Sequence, residues 1–277
     1  MNNVSYVPLD YPICGLDQYS VINSKDLLLE IFDSCYSNGD LRASWIGPGI
    51  PKTDCNHNMH SSPILPITYW STWALEHWAM YYGFLTDLRD VELNTRILDF
   101  GSGVGFNTIN LSHIFKNATL DAMDLDFCAV EFSKKFNHNE RIYYFVGDVI
   151  EANISEKYNY IFALEILEHI DSTFHLQFID KCLNLLKPNG KLFISTPNEP
   201  DAIDAKTNRG HIGMLNRERA LQLFDQYNSN IVDFGFYDNR LLKTGDPKQF
   251  IINGGIKDFD REDGVNRSHY KITMAKV

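Results

Sequence analysis

The chain has 277 residues, a formal net charge of −11, a hydrophobic fraction of 44% and a charged fraction of 22%. That length supports one sizeable α/β domain with additions, or two small domains, and the composition is that of a soluble globular protein. The acidic balance argues against nucleic acid as a partner, since a duplex-binding surface is normally basic, and no apolar run approaches the roughly 20 residues that span a bilayer.

The five cysteines, Cys14, Cys35, Cys55, Cys128 and Cys182, are odd in number, widely spaced and without a CxxC pair. This is the pattern of reduced thiols in a cytoplasmic protein. The first residues, MNNVSYVPLDYPICG, lack a basic stretch followed by an apolar run, so no secretory leader is expected.

Residues 1–95 read as an N-terminal extension. Ser24 to Phe32 predicts a short helix, and Gly47 to Pro51 a loop. Thr68 to Leu85 carries Trp70, Trp73, Trp78 and Tyr81 near helical spacing. It is expected either to pack on the core or to act as a lid that forms part of an acceptor pocket. Cys55-Asn-His-Asn-Met-His60 offers a thiol and two imidazoles, but at no closed zinc spacing, so it reads as a loop.

Residues 96–277 alternate between strand and helix signals. Short apolar runs at Arg96–Phe100, Thr119–Met123, Ile142–Val146, Tyr158–Leu164 and Gly190–Ser195 predict buried parallel strands. Helices are expected over Phe106–Phe115, Phe127–Phe136 and Ser172–Leu186, the last ended by Lys187-Pro-Asn-Gly190. A polar loop, Glu199–Gly210, precedes a helix at Asn216–Phe224. Late strands are expected at Ile231–Tyr237 and Tyr270–Val277, with a loop insertion at about 240–268. This alternation implies an α/β fold: a Rossmann-like, mostly parallel sheet with helices on both faces.

The turn between the first strand and helix is Ile97-Leu-Asp-Phe-Gly-Ser-Gly-Val-Gly105. Its glycines let the backbone approach a ligand at the carboxyl edge of the sheet. The spacing is G-x-G-x-G with an acid, Asp99, two residues before Gly101. A dinucleotide fingerprint would need glycine where Phe106 stands. Asp124 follows Gly101 by 23 residues, near the position of an acid that holds a ribose diol, with Asp126 as the alternative. Gly147-Asp148 closes the third strand, where a carboxylate can accept from an adenine amino group. An isolated acid at a strand end is ordinarily a turn former, but here such acids end successive strands.

The ordered runs ILDFGSGVG, DAMDLD, GDV, YNYIFALEILEHI and LKPNGKLFISTPN resemble the class I S-adenosylmethionine-dependent methyltransferases. The resemblance implies a seven-stranded sheet whose last strand is antiparallel, paired near Ile231–Tyr237. It implies that Gly101, Ser102 and Gly103, with Asp99 and Gly105, shape the site for the methionine part of the donor. Asp124 and Leu125 would lie at the ribose, Asp148 and Val149 would frame the adenine, and Leu164 and Glu165 would line the methyl-transfer side.

Glu165, Glu168 and His169 fall on one face if they share a helical turn, and oxygen-rich ligands favour Mg²⁺ or Mn²⁺. Glu-x-x-Glu-His, then Thr-Pro-Asn, then a later His is similar to the ubiquinone-biosynthesis O-methyltransferases and the small-RNA 2′-O-methyltransferases. On that resemblance Glu165, Glu168, His169 and His211 are the metal ligands, and Glu165 and His169 are the catalytic candidates. A metal-free enzyme with His169 as base, or as a packing residue, is the alternative. Ile212-Gly-Met-Leu215 replaces the aromatic that the pattern expects after His211. The expected reaction is O-methylation of a small polar or sugar-like acceptor, and N-methylation comes next. A non-catalytic binding module and an NAD-linked oxidoreductase are the competing classes.

Overall fold

A computed structural model describes residues 94–103, 105–136, 139–198, 211–237 and 269–276. The aromatic N-terminal segment, the Cys55–His60 loop, the Glu199–Gly210 loop and the 240–268 insertion lie outside the described residues.

Seven strands form one sheet in the order β3-β2-β1-β4-β5-β7-β6. They are β1 (Arg96–Phe100), β2 (Thr119–Asp124), β3 (Ile142–Val146), β4 (Tyr158–Leu164), β5 (Leu186–Pro197), β6 (Ile231–Tyr237) and β7 (His269–Ala275). The first five run parallel, and β7 is antiparallel to both β5 and β6. This is the expected fold, including the reversed last strand. The crossovers after β1, β2 and β4 carry α1 (Phe106–Ile114), α2 (Phe127–Phe136) and α3 (His175–Leu185), and α4 (Arg217–Asp225) precedes β6.

The strands at the centre of the sheet are apolar because both faces are covered. Leu98, Phe100, Ile161, Ala163, Leu192, Ile194, Ile272 and Met274 belong to one buried cluster. Helix α3 adds Phe178, Ile179, Cys182 and Leu185 to it, an i, i+1, i+4, i+7 stripe, and Phe178 lies 5.6 Å from Phe100 between ring centroids. Each of the Leu, Ile, Phe and Met side chains among them contributes about 1.5–3 kcal/mol when fully buried. Among the described residues no helix is long and apolar enough to cross a membrane.

Some element boundaries differ from expectation for local reasons. The helix predicted from Ser172 begins as a 3₁₀ turn, Ser172–Phe174, where Asp171 accepts hydrogen bonds from the Thr173 N–H and hydroxyl at 2.9 and 2.7 Å. The α-helix starts only at His175. Asn216 is the cap of α4 rather than its first residue, since its side chain accepts from the Arg219 N–H at 2.9 Å. Lys187–Gly190 does end α3, but it lies inside the assigned limits of β5, with Asn189 at φ 62°.

Candidate active site

The carboxyl ends of β1, β2 and β3 are drawn together by backbone bonds. The N–H groups of Gly101 and Ser102 both donate to the Met123 carbonyl, at 2.8 and 3.0 Å. Asp124 takes the Gly103 N–H on Oδ2 at 2.7 Å and the Asp126 N–H on Oδ1 at 2.8 Å, while its carbonyl accepts from Gly147 at 2.9 Å. Burial raises the Asp124 pKa, and the Asp126 and Gly103 N–H groups work against that rise.

Gly105 caps α1 with φ 77°, a left-handed conformation that glycine adopts without a Cβ penalty. A Cβ there would lie 2.6 Å from Tyr144 Oη and 2.8 Å from Ser133 Oγ. The loop is therefore buttressed from behind by α2 and β3.

The surface of this turn fits a polar ligand. Among the described residues, Ser102 Oγ is buried without a hydrogen-bond partner, and the space where a Cβ of Gly103 would stand has no neighbouring atom within 4 Å. Leu125, just past Asp124, is 65% exposed. These features suit a donor whose methionine part lies over Ser102 and Gly103 and whose ribose meets Asp124. Val149 packs partly buried against the core and Leu164 is buried at the end of β4.

Two expected donor residues have other partners. Asp148 accepts the Ile150 and Glu151 N–H groups on Oδ1, at 2.7 and 3.3 Å, and so forms the turn after β3. Asp99 is 2% exposed and its carboxyl accepts the Thr108 hydroxyl at 2.5 Å, so it braces the loop from behind.

Burial pushes the Asp99 carboxyl from 3.8 up to about 7, with Thr108 opposing and the Asp124 charge adding to the rise. Between those two pH values the native chain holds a proton that the unfolded chain has released. Asp99 thus favours the fold at low pH, and this contribution is lost as pH rises through 7. Asp99→Asn removes the titration. Relative to wild type, the variant should gain about 2–4 kcal/mol between pH 5 and pH 8. Urea unfolding at both pH values checks this, and a gap that does not change with pH contradicts it.

The second half of the site follows β4. Glu165 has φ 54°, a left-handed conformation that costs a non-glycine residue about 1 kcal/mol. The bend stops Glu165 from joining the next turn, which is a 3₁₀ helix over Leu167–His169. Glu165 therefore lies outside the turn that carries Glu168 and His169, and the three do not share one helical face as expected. Its Oε1 accepts the Ser195 hydroxyl at 2.6 Å, and its Oε2 lies 3.3 Å from His269 Nε2 on β7.

Glu168, His169 and His211 do come together. One ligand atom from each lies within 4.8 Å of the others, the only such group of three among the described residues. The two imidazoles meet edge to face at 4.9 Å between centroids. Glu168 is 2% exposed, and its Oε2 accepts the Thr196 hydroxyl at 2.8 Å. One carboxylate and two imidazoles with a charge-bearing oxygen fixed from behind can hold a divalent ion.

Sequence reasoning missed Ser195, Thr196 and His269. Ser195 read only as the end of a strand and Thr196 only as the start of the Thr-Pro-Asn run, although their hydroxyls fix the two glutamates. His269 follows a long segment without periodicity, and only the β5–β7 pairing, Pro197 against His269, brings it to the site.

A sequence profile of the methyltransferase domain matches residues 74–240, more than half of the chain. The mitochondrial ubiquinone biosynthesis O-methyltransferase of Mus musculus is 33% identical over 174 residues, covering 61% of this chain and 38% of that protein. Its counterpart from Schizosaccharomyces pombe is 27% identical over 121 residues, covering 41% and 43%. The chain thus spans about two-fifths of the length of these curated relatives. Geranyl diphosphate C-methyltransferase from Streptomyces coelicolor A3(2), solved with Mg²⁺, geranyl diphosphate and S-adenosyl-L-homocysteine, superposes with a TM-score of 0.54 at 12% identity. That match covers 86% of this chain and 98% of the other, and it shows a shared fold. The profile, the strand order and the glycine turn agree: the chain belongs to the methyltransferase-domain family, as a class I S-adenosylmethionine-dependent member.

Proposed function

We propose that this protein transfers the methyl group of S-adenosylmethionine to a hydroxyl oxygen of a small polar acceptor, with Mg²⁺ or Mn²⁺ held by Glu168, His169 and His211. The observation that carries the reading is the convergence of those three side chains at the end of β4, beside the strand ends that form the donor turn. The O-methyltransferase names of the sequence relatives support the same reaction type.

The transfer is an in-line displacement from an already activated sulfonium, so the protein's work is alignment and proton removal. Asp124 holds the donor ribose, and Ser102 and Gly103 face its methionine part. A bound divalent ion would polarise the acceptor hydroxyl and orient it. Glu165, fixed by Ser195 and facing His269, is placed to take the acceptor's proton. The cysteine pattern favours a reducing, cytoplasmic setting, and Cys182 is a free, buried thiol whose pKa burial pushes well up.

The test is methyl transfer by chelator-stripped protein to a panel of small diols, catechols and amines, with and without Mn²⁺. Ion-dependent formation of methyl ethers is expected. Methylation of amines alone, at the same rate in chelator, would overturn the reading.

A further inference from the structure

His175 takes no part in the chemistry above, yet it is buried and doubly hydrogen-bonded beside it. It opens α3, is 2% exposed, and its Nε2 lies 3.0 Å from two carbonyl oxygens, those of Leu167 and Ile170. Both partners only accept, so Nε2 carries the hydrogen and shares it between them. These two carbonyls bracket the short turn that carries Glu168 and His169. Burial lowers the His175 pKa, with the two carbonyls opposing, which suits a neutral ring used as a donor.

The segment that carries His211 arrives at the same place. The Gly213 N–H donates to the Glu168 carbonyl at 2.9 Å. A Cβ on Gly213 would overlap the Ile170 carbonyl oxygen and lie 2.6 Å from His175 Nε2 and 2.8 Å from the Leu167 oxygen. Only glycine permits that approach. Three pieces of chain therefore meet at one imidazole: the start of α3, the turn after β4 just before it, and the distant segment after His211.

We propose that His175 is a positioning residue which, with Gly213, latches the turn carrying Glu168 and His169 to the segment carrying His211 and so sets the geometry in which the three can hold a divalent ion. The metal part rests on the reading under Proposed function, and the latch itself rests on the contacts alone. Residues outside a ligand set that orient it typically contribute 10- to 100-fold in metal affinity.

The experiment compares wild type, His175→Ala, His175→Gln and Gly213→Ala by hydrogen exchange, Mn²⁺ titration and S-adenosylhomocysteine titration. In His175→Ala, peptides covering 166–171 and 211–216 should exchange about tenfold faster or more, and should do so together. Mn²⁺ affinity should fall about 10- to 100-fold, with nucleotide affinity unchanged. His175→Gln, whose amide offers two hydrogens to the two carbonyls, should restore most of both effects. Gly213→Ala should loosen the same two peptides from the other side, and it gives the answer if His175→Ala does not fold. Unchanged exchange at 211–216 in folded His175→Ala overturns the latch. Coupled loosening in a protein whose wild type takes up no Mn²⁺ upholds the latch and overturns the metal reading instead.

Discussion

Asp124→Ala should abolish measurable S-adenosylhomocysteine binding while leaving the protein folded. The carboxylate anchors the Gly103 and Asp126 N–H groups at 2.7 and 2.8 Å, at the strand end where an acid meets a ribose diol. Hydrogen bonds to a charged group are worth about 1.5–3 kcal/mol each, so losing two from the diol weakens binding by roughly 10²- to 10⁴-fold. The fold suffers less, because burial already disfavours the Asp124 carboxylate. The same raised pKa makes wild-type affinity fall on acidification at a higher pH than for an ordinary carboxylate, since the protonated acid loses acceptor strength. Calorimetric titration measures both effects. Unchanged affinity in a folded Asp124→Ala variant would remove the ribose assignment.

Glu168→Gln should separate the roles of the two glutamates. Gln keeps an oxygen for the Thr196 hydroxyl but loses the charge that a divalent ion needs. Mn²⁺ affinity should drop more than about 100-fold, and kcat/KM should drop by a similar factor because the ion supplies several kcal/mol of charge stabilisation. Glu165→Gln should behave differently. Glu165 is tied to Ser195 and lies against His269, outside the group of three. That variant should hold Mn²⁺ nearly as wild type does while methyl transfer slows about 10²- to 10⁴-fold, as loss of a positioned base does. Equal loss of Mn²⁺ in both variants would return Glu165 to the ligand set. Electron paramagnetic resonance of free Mn²⁺ gives the affinities directly.

Much of this architecture was legible because parallel strands buried on both faces have to be apolar. Ile97, Leu98 and Phe100, or Ile161 to Leu164, could hardly be anything else. The glycine turn and Asp124 were legible because their spacing is fixed by the strand-to-helix turn and the next strand. Reading Glu165, Glu168 and His169 as one face assumed regular α-helix from the strand end onward. The left-handed backbone at Glu165 breaks that assumption, and nothing in a glutamate announces it. Nothing in an acid beside glycines announces its partner, and at Asp99 that partner is the Thr108 hydroxyl in the first turn of α1. His269 and the His175–Gly213 contact were invisible because they depend on tertiary pairing between distant segments.

The most direct test is a thermal melt of chelator-stripped protein with S-adenosylhomocysteine, followed by the same melt with Mn²⁺ added. A ligand bound by the native state alone raises the melting point. A rise with the nucleotide and a further rise with the ion are expected, and Glu168→Gln should keep the first and lose the second. A protein that responds to the nucleotide but not to the ion would contradict the metal-assisted site, and one that responds to neither would contradict the donor site itself.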